Sequence, residues 1–246
     1  MSMISVQLYS VRDAFAAHPE GTLRQLAQIG FTRVEPYGVV ENVAVLSAAL
    51  PAFGLAAPTA HAKLLGADQL AVFRAAAELG IGTVIDPMVN ADKWQDAADI
   101  EATAAGLNAA AAAAADHGVT VGYHNHWWEL QSRIGGRHAL EYLADHLDPA
   151  VVLEVDAYWA TAGGADPAAL LGRLGSRVRA VHVKDGDLAL DGSGQVPAGG
   201  GQVPMATVLA AAPDALRVAE FDRYDGDVFD ALAATYGYLI KEGVAP

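Results

Sequence analysis

Ionisable and polar side chains stand at the ends of eight short apolar runs in this chain, one residue to each run. Successive members lie about 25 to 38 residues apart, which leaves room for a helix between one run and the next. Carboxylates and imidazoles predominate, and these groups bind divalent metal ions and transfer protons. The eight residues are Gln7, Glu35, His61, Asp86, His124, Asp156, His182 and Glu220.

Brought together, these side chains would form a metal site of oxygen and nitrogen ligands. The chain has no cysteine, which excludes thiolate ligands, thiolate nucleophiles and disulfides. Carboxylate and imidazole ligands suit Mn²⁺, Co²⁺, Mg²⁺, Fe²⁺ or Zn²⁺ and do not choose among them. Such an ion would hold two oxygens of a hydroxy-ketone or polyol and polarise its carbonyl. A nearby carboxylate or imidazole could then remove and return the proton on the adjacent carbon.

The elements between the apolar runs have the period of amphipathic helices, and several end in glycine. This alternation predicts a single α/β domain over residues 1–246, a (β/α)8 TIM barrel. Because the carboxyl ends of barrel strands converge on one face, we expect the eight polar residues at that rim. Helices are predicted at roughly 22–29, 41–53, 67–79, 97–117, 137–147, 166–174, 204–212 and 227–241.

Alternation within the runs indicates which side chains point inward. In LEVD, Glu154 and Asp156 share one side of the strand, and in VHVK, His182 and Lys184 do the same. The polar residues can therefore face the barrel mouth while their apolar neighbours pack against the helices. A glycine-rich segment, 185–203, follows the seventh run. It is open to two interpretations, a mobile lid over the site or a flexible surface loop.

Composition limits the partners that this chain could have. Of its 246 residues, 15 are Lys or Arg and 29 are Asp or Glu, so the formal charge is −14 and an average field would repel nucleic acid. No apolar segment reaches membrane-spanning length without polar interruption, and the first twenty residues lack a signal-peptide pattern. We therefore expect a cytoplasmic protein that acts on a small sugar or polyol, without nucleic-acid or membrane partners. Homo-oligomerisation stays open.

Six phrases spread over the whole chain resemble the sugar phosphate isomerase/epimerase superfamily of xylose-isomerase-like barrels. They are QLYSVRD, GFTRVEPYG, YHNHWWEL, LEVDAYWA, VHVKD and VAEFD. The resemblance implies a divalent metal held by a Glu on strand 5, an Asp on strand 6, a His on strand 7 and a Glu on strand 8. Asp156, His182 and Glu220 match the last three positions, but His124 stands where the family usually has Glu.

Residue types and resemblance together assign roles. The predicted metal ligands are His124, Asp156, His182 and Glu220. The predicted catalytic residues are His124, His126, Glu220 and Lys184, with Lys184 stabilising an enolate or an anionic group. The predicted substrate-binding residues are Gln7, Glu35, His61, Asp86, Trp159 and Lys184, with the Trp159 ring offering a face on which a sugar could stack.

Several functions are compatible with this pattern. The first is a metal-dependent isomerase or epimerase that abstracts a proton next to a metal-bound carbonyl. Because His124 removes one of the two carboxylates that flank the substrate in epimerases, a dehydratase or lyase acting by β-elimination on a keto-sugar, keto-glycoside or inosose is the alternative. A DNA-repair nuclease of the same fold would need a basic surface, which a charge of −14 does not suggest. An inactive barrel that serves as a binding module would lack metal.

Overall fold

Eight parallel strands form the centre of the computed structural model, which describes residues 3–246. They pair in the order β2-β1-β8-β7-β6-β5-β4-β3. Parallel bridges of Arg33 with Ala56 and of Tyr37 with His61 connect the two end strands, so that the barrel is nearly closed. The strands are β1 Ile4–Gln7, β2 Val34–Glu35, β3 Thr59–His61, β4 Thr83–Asp86, β5 Thr120–His124, β6 Val152–Asp156, β7 Val178–Val183 and β8 Leu216–Ala219.

A helix follows each strand, which confirms the predicted (β/α)8 architecture. Five of these helices begin with proline or have an aspartate N-cap: Pro19 and Pro167 stand at first-turn positions, and Asp68, Asp96 and Asp227 accept from backbone N–H groups. The helices are α1 Pro19–Ile29, α2 Val39–Ala52, α3 Gln69–Glu78, α4 Ala97–Ala115, α5 Ala139–His146, α6 Pro167–Leu174, α7 Met205–Ala211 and α8 Val228–Lys241.

The loops at the carboxyl ends of the strands carry shorter elements. These are Leu8–Val11, Arg12–Ala17, Ala91–Trp94, Trp128–Gln131 and Ala157–Ala162, together with two ribbons, Arg133–Ile134 with Arg137–His138 and Asp185–Gly186 with Gln195–Val196. A further short helix, Gly175–Arg177, connects α6 to β7. Apolar side chains from strands and helices form one buried core around the barrel. Over residues 3–246, no helix is long and apolar enough to cross a lipid bilayer.

The glycine-rich segment is folded onto the barrel by one buried carboxylate. Asp185 Oδ1 accepts from the N–H groups of Gly186 and Val203, and Oδ2 accepts from those of Gly199 and Gly201, at 2.9 to 3.0 Å. A side chain at Gly201 would collide with this carboxylate, so glycine permits the close approach. These hydrogen bonds attach the segment at Gly199, Gly201 and Val203, and both interpretations, a mobile lid and a flexible surface loop, remain predictions.

Candidate active site

Strand register decides which inward side chains meet at the carboxyl end of the barrel. His124 on β5 pairs with Glu154 on β6, whereas Asp156, two residues further along β6, pairs with His182 on β7. All four side chains share the inward parity that alternation predicts. His124 is therefore level with Glu154 rather than with Asp156.

Three imidazoles converge on one carboxylate oxygen in a group that we call the imidazole cluster: His61, His124, Glu154 and His182. Glu154 Oε2 lies 2.6 Å from His61 Nε2, 3.1 Å from His124 Nδ1 and 3.0 Å from His182 Nε2. Glu35 Oε1 adjoins the group, 2.8 Å from His182 Nε2 and 3.3 Å from His61 Nε2. The cluster is almost completely shielded from solvent.

Burial and neighbouring charges set the protonation of this cluster. Burial, reinforced by the nearby His182, lowers the pKa of His124 to about 3, so this imidazole is neutral at pH 7. Burial opposes ionisation of Glu154, but His182 and His61 outweigh it and hold its pKa well below the usual range. Burial, reinforced by Glu154, raises the pKa of Glu35. The cluster thus contains an ionised carboxylate and a neutral nitrogen base.

A second group, the lysine cluster, comprises Asp156, Lys184, Glu220 and Asp222. Lys184 Nζ lies 2.9 Å from Asp156 Oδ2, 2.8 Å from Glu220 Oε2 and 2.7 Å from Asp222 Oδ2. Asp156 Oδ1 accepts from the N–H of Trp159 at the start of the helix Ala157–Ala162. Gln195, from the glycine-rich segment, donates to Asp222 Oδ2 and accepts from the Asp222 N–H, both at 2.8 Å.

The ammonium group neutralises part of the negative charge of the lysine cluster. Burial opposes the charged form of Lys184, but Asp156, Asp222 and Glu220 keep its pKa well above the usual value. Burial likewise opposes ionisation of Glu220, yet Lys184 and His182 hold its pKa well below the usual range. For Asp156, burial prevails over the effect of Lys184 and raises the pKa to about 6.

His182 connects the two clusters through its two ring nitrogens. Nε2 faces Glu154 and Glu35, and Nδ1 lies 2.7 Å from Glu220 Oε2. Burial would lower the pKa of His182, but Glu154 and Glu220 raise it well above the usual value. Each nitrogen therefore has a carboxylate partner, one from each side.

A cavity of about 790 Å³ opens beside both clusters. Its inner end is polar, with His61, His124, His126, Glu220 and Asp222. Its outer wall is mostly apolar and includes Tyr9, Tyr37, Val39, Val40, Val72 and Met88. Of the six exposed large apolar side chains among residues 3–246, three line this cavity: Tyr9, Val40 and Met88. The cavity therefore joins an ionisable end to an apolar one.

His126 contributes a ring to the inner end. The ring stacks on Trp128, with ring centroids 4.5 Å apart, and the backbone N–H of His126 donates to Glu129 Oε2. Burial, followed by the charges of His124 and Lys184, lowers the pKa of His126 well below its usual value. In the described part of the chain, no group forms a hydrogen bond with its Nδ1.

Five of the six predicted substrate-binding residues do not line the cavity: Gln7, Glu35, Asp86, Trp159 and Lys184. Gln7 donates to Glu35 and caps the turn at Tyr9. Asp86 accepts from the N–H groups of Leu64, Leu65 and Met88. Neither lines the cavity, so the geometry favours structural roles instead of substrate contact.

Trp159 and Lys184, two of the predicted substrate-binding residues, contact each other and not the cavity. The Trp159 ring is buried beneath Lys184 Nζ, which lies 5.4 Å from the ring centroid, and neither residue lines the cavity. With three carboxylate partners, Lys184 has little free charge to offer an anionic substrate. The geometry favours a positioning role for it, through Glu220 and Asp222.

Sequence reasoning assigned no role to Glu154, Asp222 or Gln195. Parity already placed Glu154 inward beside Asp156, and Asp222 follows Glu220 by two residues, so the same alternation extended by one step would have found both. Nothing in the sequence pattern indicates that Gln195 reaches Asp222, because Gln195 lies in the glycine-rich segment, 27 residues before Asp222 in the chain.

The donor set fits a divalent metal ion. Two groups could bind one, with ligand atoms within 4.8 Å of one another: His61, His124, Glu154 and His182 in one, and Asp156, His182 and Glu220 in the other. Within residues 3–246, the buried atoms Glu154 Oε1 and Glu35 Oε2 have no hydrogen-bond partner. The four predicted ligands are divided between these groups, and their assignment as one shell stays a prediction.

Residues 23–215 match the family model of the xylose isomerase-like TIM barrel. The chain belongs to this family. Comparison with curated proteins finds no match. The family assignment agrees with the eight-stranded barrel and with the resemblance in the sequence.

Solved structures share the fold at low sequence identity. A sugar phosphate isomerase/epimerase from Parabacteroides distasonis has a TM-score of 0.82 and 19% identity, covering 97% of this chain and 93% of that one. The probable 3-DHS dehydratase AsbF from Bacillus anthracis has a TM-score of 0.77 and 16% identity, covering 98% and 99%. The IolI protein with a bound zinc atom has a TM-score of 0.77 and 12% identity, covering 98% of each chain. At these identities the likeness establishes the fold alone.

Proposed function

We propose that this protein is a divalent-metal-dependent isomerase or epimerase that removes a proton next to the carbonyl of a sugar or polyol. One observation carries the proposal: three imidazoles and several carboxylates meet, buried, at the polar end of a cavity large enough for a carbohydrate. The solved structures with this fold include an isomerase/epimerase and a protein with bound zinc, which supports the choice of reaction class and cofactor.

The metal ion would supply Lewis acidity at the substrate carbonyl. We assign His124 and His182 as ligands because both belong to the buried donor groups. His126 is the candidate base, since its ring lines the cavity and burial lowers its pKa well below the usual value, which leaves the imidazole neutral at pH 7. Glu220 reaches the same cavity from the opposite cluster and would exchange a proton on the second face. Lys184 and Asp222 hold Glu220 in place.

The apolar outer wall favours a second candidate, β-elimination from a keto-glycoside. Val40, Met88 and the ring of Tyr9 are exposed in the same cavity that reaches the ionisable groups. An apolar leaving group attached to the sugar would cover these side chains and remove them from water. The probable dehydratase among the solved structures with this fold supports considering an elimination.

The decisive experiment uses the metal-loaded protein in D₂O with a panel of keto-sugars and their phenyl glycosides, followed by NMR. Isomerisation or epimerisation should give reversible interconversion with deuterium at one carbon. Elimination should give irreversible release of the leaving group and an unsaturated or dehydrated keto product. Absence of exchange and of product with every substrate and metal would contradict both candidates.

His124→Glu tests the same distinction because it restores the carboxylate usual in the family. If the wild type catalyses elimination, we expect this variant to weaken it and to create weak epimerisation, since a carboxylate would then flank the substrate on each side. A variant that matches the wild type in both assays would show that residue 124 neither binds the metal nor moves the proton.

A further inference from the structure

We infer that the metal ion binds in the imidazole cluster, with His61 and Glu154 in the places that the family pattern would give to Asp156 and Glu220. The inference rests on the proposed metal-dependent function and concerns where this chain holds the ion. His124 and His182 are shared by both arrangements. His61 and Glu154 distinguish them.

Convergence on Glu154 is the first argument. Its Oε2 has three imidazole nitrogens within 3.1 Å, from three different strands. In a tetrahedral shell with bonds of about 2.0–2.1 Å, ligand atoms lie about 3.3–3.5 Å apart, so a small outward movement of these side chains admits an ion. Glu154 is buried and, over residues 3–246, its Oε1 has no hydrogen-bond partner. A carboxylate with an unused oxygen among imidazoles is suited to receive a cation.

The lysine cluster already contains its cation. Lys184 Nζ lies within 2.9 Å of both Asp156 Oδ2 and Glu220 Oε2, and Glu220 Oε2 also lies 2.7 Å from His182 Nδ1. The remaining oxygen of Asp156 caps a helix through Trp159. A divalent ion bound by Asp156 and Glu220 would have to displace the ammonium group or approach it closely, and the like charges would repel.

Orientation of the two shared imidazoles supports the same location. His182 directs Nε2 to Glu154 and Nδ1 to Glu220 at 2.7 Å, so Glu220 can accept the Nδ1 proton while Nε2 binds the ion. His124 directs Nδ1 to Glu154 and places Nε2 3.9 Å from Asp156 Oδ2. Carboxylates that hold the second nitrogen of a ligand histidine are usual around metal sites. At 3.9 Å, Asp156 does not hydrogen-bond to His124, so the lysine cluster orients one ligand, His182, through Glu220.

A shell of three imidazoles and one carboxylate is richer in nitrogen than the family pattern. Imidazole suits Zn²⁺, Co²⁺ and Fe²⁺ better than it suits Mg²⁺, which prefers oxygen. We therefore expect Co²⁺ and Zn²⁺ to bind more tightly than Mg²⁺, and Mg²⁺ to compete poorly with Co²⁺.

The test is titration of the chelator-treated protein with Co²⁺, followed by its visible absorption, in Glu154→Gln and in Asp156→Asn as the matched control. Loss of an outer partner typically lowers metal affinity about 10–100-fold, so Glu154→Gln, which removes a direct ligand, should lower it at least about 100-fold. Asp156→Asn removes neither a ligand nor a group within hydrogen-bond distance of one, so it should change the affinity less than about 10-fold. Circular dichroism and urea unfolding without metal establish that both variants are folded.

A ligand exchange gives a positive signal that a structural role could not produce. His61→Cys should add a thiolate-to-Co²⁺ charge-transfer band in the near ultraviolet, whereas Asp156→Cys should not. The reverse pattern, with affinity lost in Asp156→Asn and retained in Glu154→Gln, would place the ion in the lysine cluster and overturn the inference. Equal loss in both variants, or no Co²⁺ binding by the wild type, would also overturn it.

These results are independent of turnover. Normal metal binding by Glu154→Gln, with active wild type in the D₂O experiment, would refute the location and leave the function standing. Metal bound through His61 and Glu154, with no exchange of any substrate proton, would refute the function and leave the location standing.

Discussion

The imidazole cluster and the lysine cluster lie side by side and share His182, yet their negative charge is balanced in different ways. In the lysine cluster a side-chain ammonium lies within 2.9 Å of three carboxylates. In the imidazole cluster the carboxylate of Glu154 faces three imidazoles, of which His124 is neutral at pH 7. A neutral imidazole offers a lone pair to a metal ion, whereas an ammonium group offers none.

This difference teaches that buried carboxylates alone do not define a metal site. Asp156 and Glu220 match the family positions, but the lysine two residues after His182 competes for their oxygens. Glu154 faces imidazoles and no ammonium group, and an imidazole that loses its proton offers a lone pair to the ion. The charge nearest to a carboxylate therefore decides whether it binds an ion or holds neighbouring groups in place.

The largest effect is expected from Lys184→Met. It leaves the buried carboxylates of Asp156 and Glu220 without their counter-charge, and loss of one partner from a buried ion pair typically costs about 3–5 kcal/mol. Urea unfolding should show this loss in the free energy of unfolding. A second substitution, Asp156→Asn, should restore part of it. Unchanged stability would mean that the ammonium group does not balance these carboxylates.

Lys184→Met also sharpens the comparison through its metal content. Without the ammonium group, Asp156, Glu220 and Asp222 offer free carboxylate oxygens to a cation. We expect a second equivalent of Co²⁺ to bind in this variant and to stabilise it, as measured by equilibrium dialysis. If the variant still binds a single equivalent, competition by the lysine does not determine where the ion binds.

A somewhat smaller effect is expected from Asp185→Ala. This carboxylate accepts from four backbone N–H groups in the glycine-rich segment, and hydrogen bonds to charged groups contribute about 1.5–3 kcal/mol each, without strict additivity. We expect a loss of about 2–4 kcal/mol and faster proteolysis within 187–202. The exposed neighbour gives the control, Asp187→Ala, which should change little. Retained Co²⁺ affinity in Asp185→Ala would confirm that the segment supports the lysine cluster only.

Metal addition should stabilise the protein through the imidazole cluster. At a free Co²⁺ concentration of about 100 times its Kd, the free energy of unfolding should rise by about 2.7 kcal/mol, and a chelator should reverse the change. The measurement is urea unfolding with and without Co²⁺. Glu154→Gln should lose most of this increment, and an equal increment in that variant would contradict the assignment of Glu154 as a ligand.

The smallest effect concerns the apolar wall, outside both clusters. Val40→Asp should weaken binding of the phenyl glycoside of an accepted sugar about 10-fold, which corresponds to about 1.4 kcal/mol, and should leave the methyl glycoside unaffected. Leu70→Asp is the matched control because Leu70 is exposed and does not line the cavity. Equal weakening of both glycosides, measured by calorimetry, would show that the wall does not contact the apolar group.

Much of the fold follows from local pattern. The predicted helix at 166–174 is observed as Pro167–Leu174, and the one at 227–241 as Val228–Lys241. Agreement of this kind arises because capping residues and apolar periodicity act within a single helix. The folded form of 185–203 could not be foreseen, since it depends on Asp185 accepting from three N–H groups that lie 14 to 18 residues further along the chain.

Parity, a local property of each strand, also indicated correctly that Glu154 and Asp156 share a side, as do His182 and Lys184. The pairing of these residues is a property of two strands at once. His124 lies level with Glu154, and a shift in register at Leu153 and Glu154 brings Asp156 level with His182. No pattern within either strand encodes that alignment.

The sequence by itself determined the eight-unit barrel and the presence of carboxylates and imidazoles at one end, because alternation and helical period are written in each segment. Only the tertiary structure decided which carboxylate faces the imidazoles and which faces Lys184. The physical reason is that contacts between side chains on neighbouring strands depend on register to within one residue pair, and closure of the whole barrel sets that register.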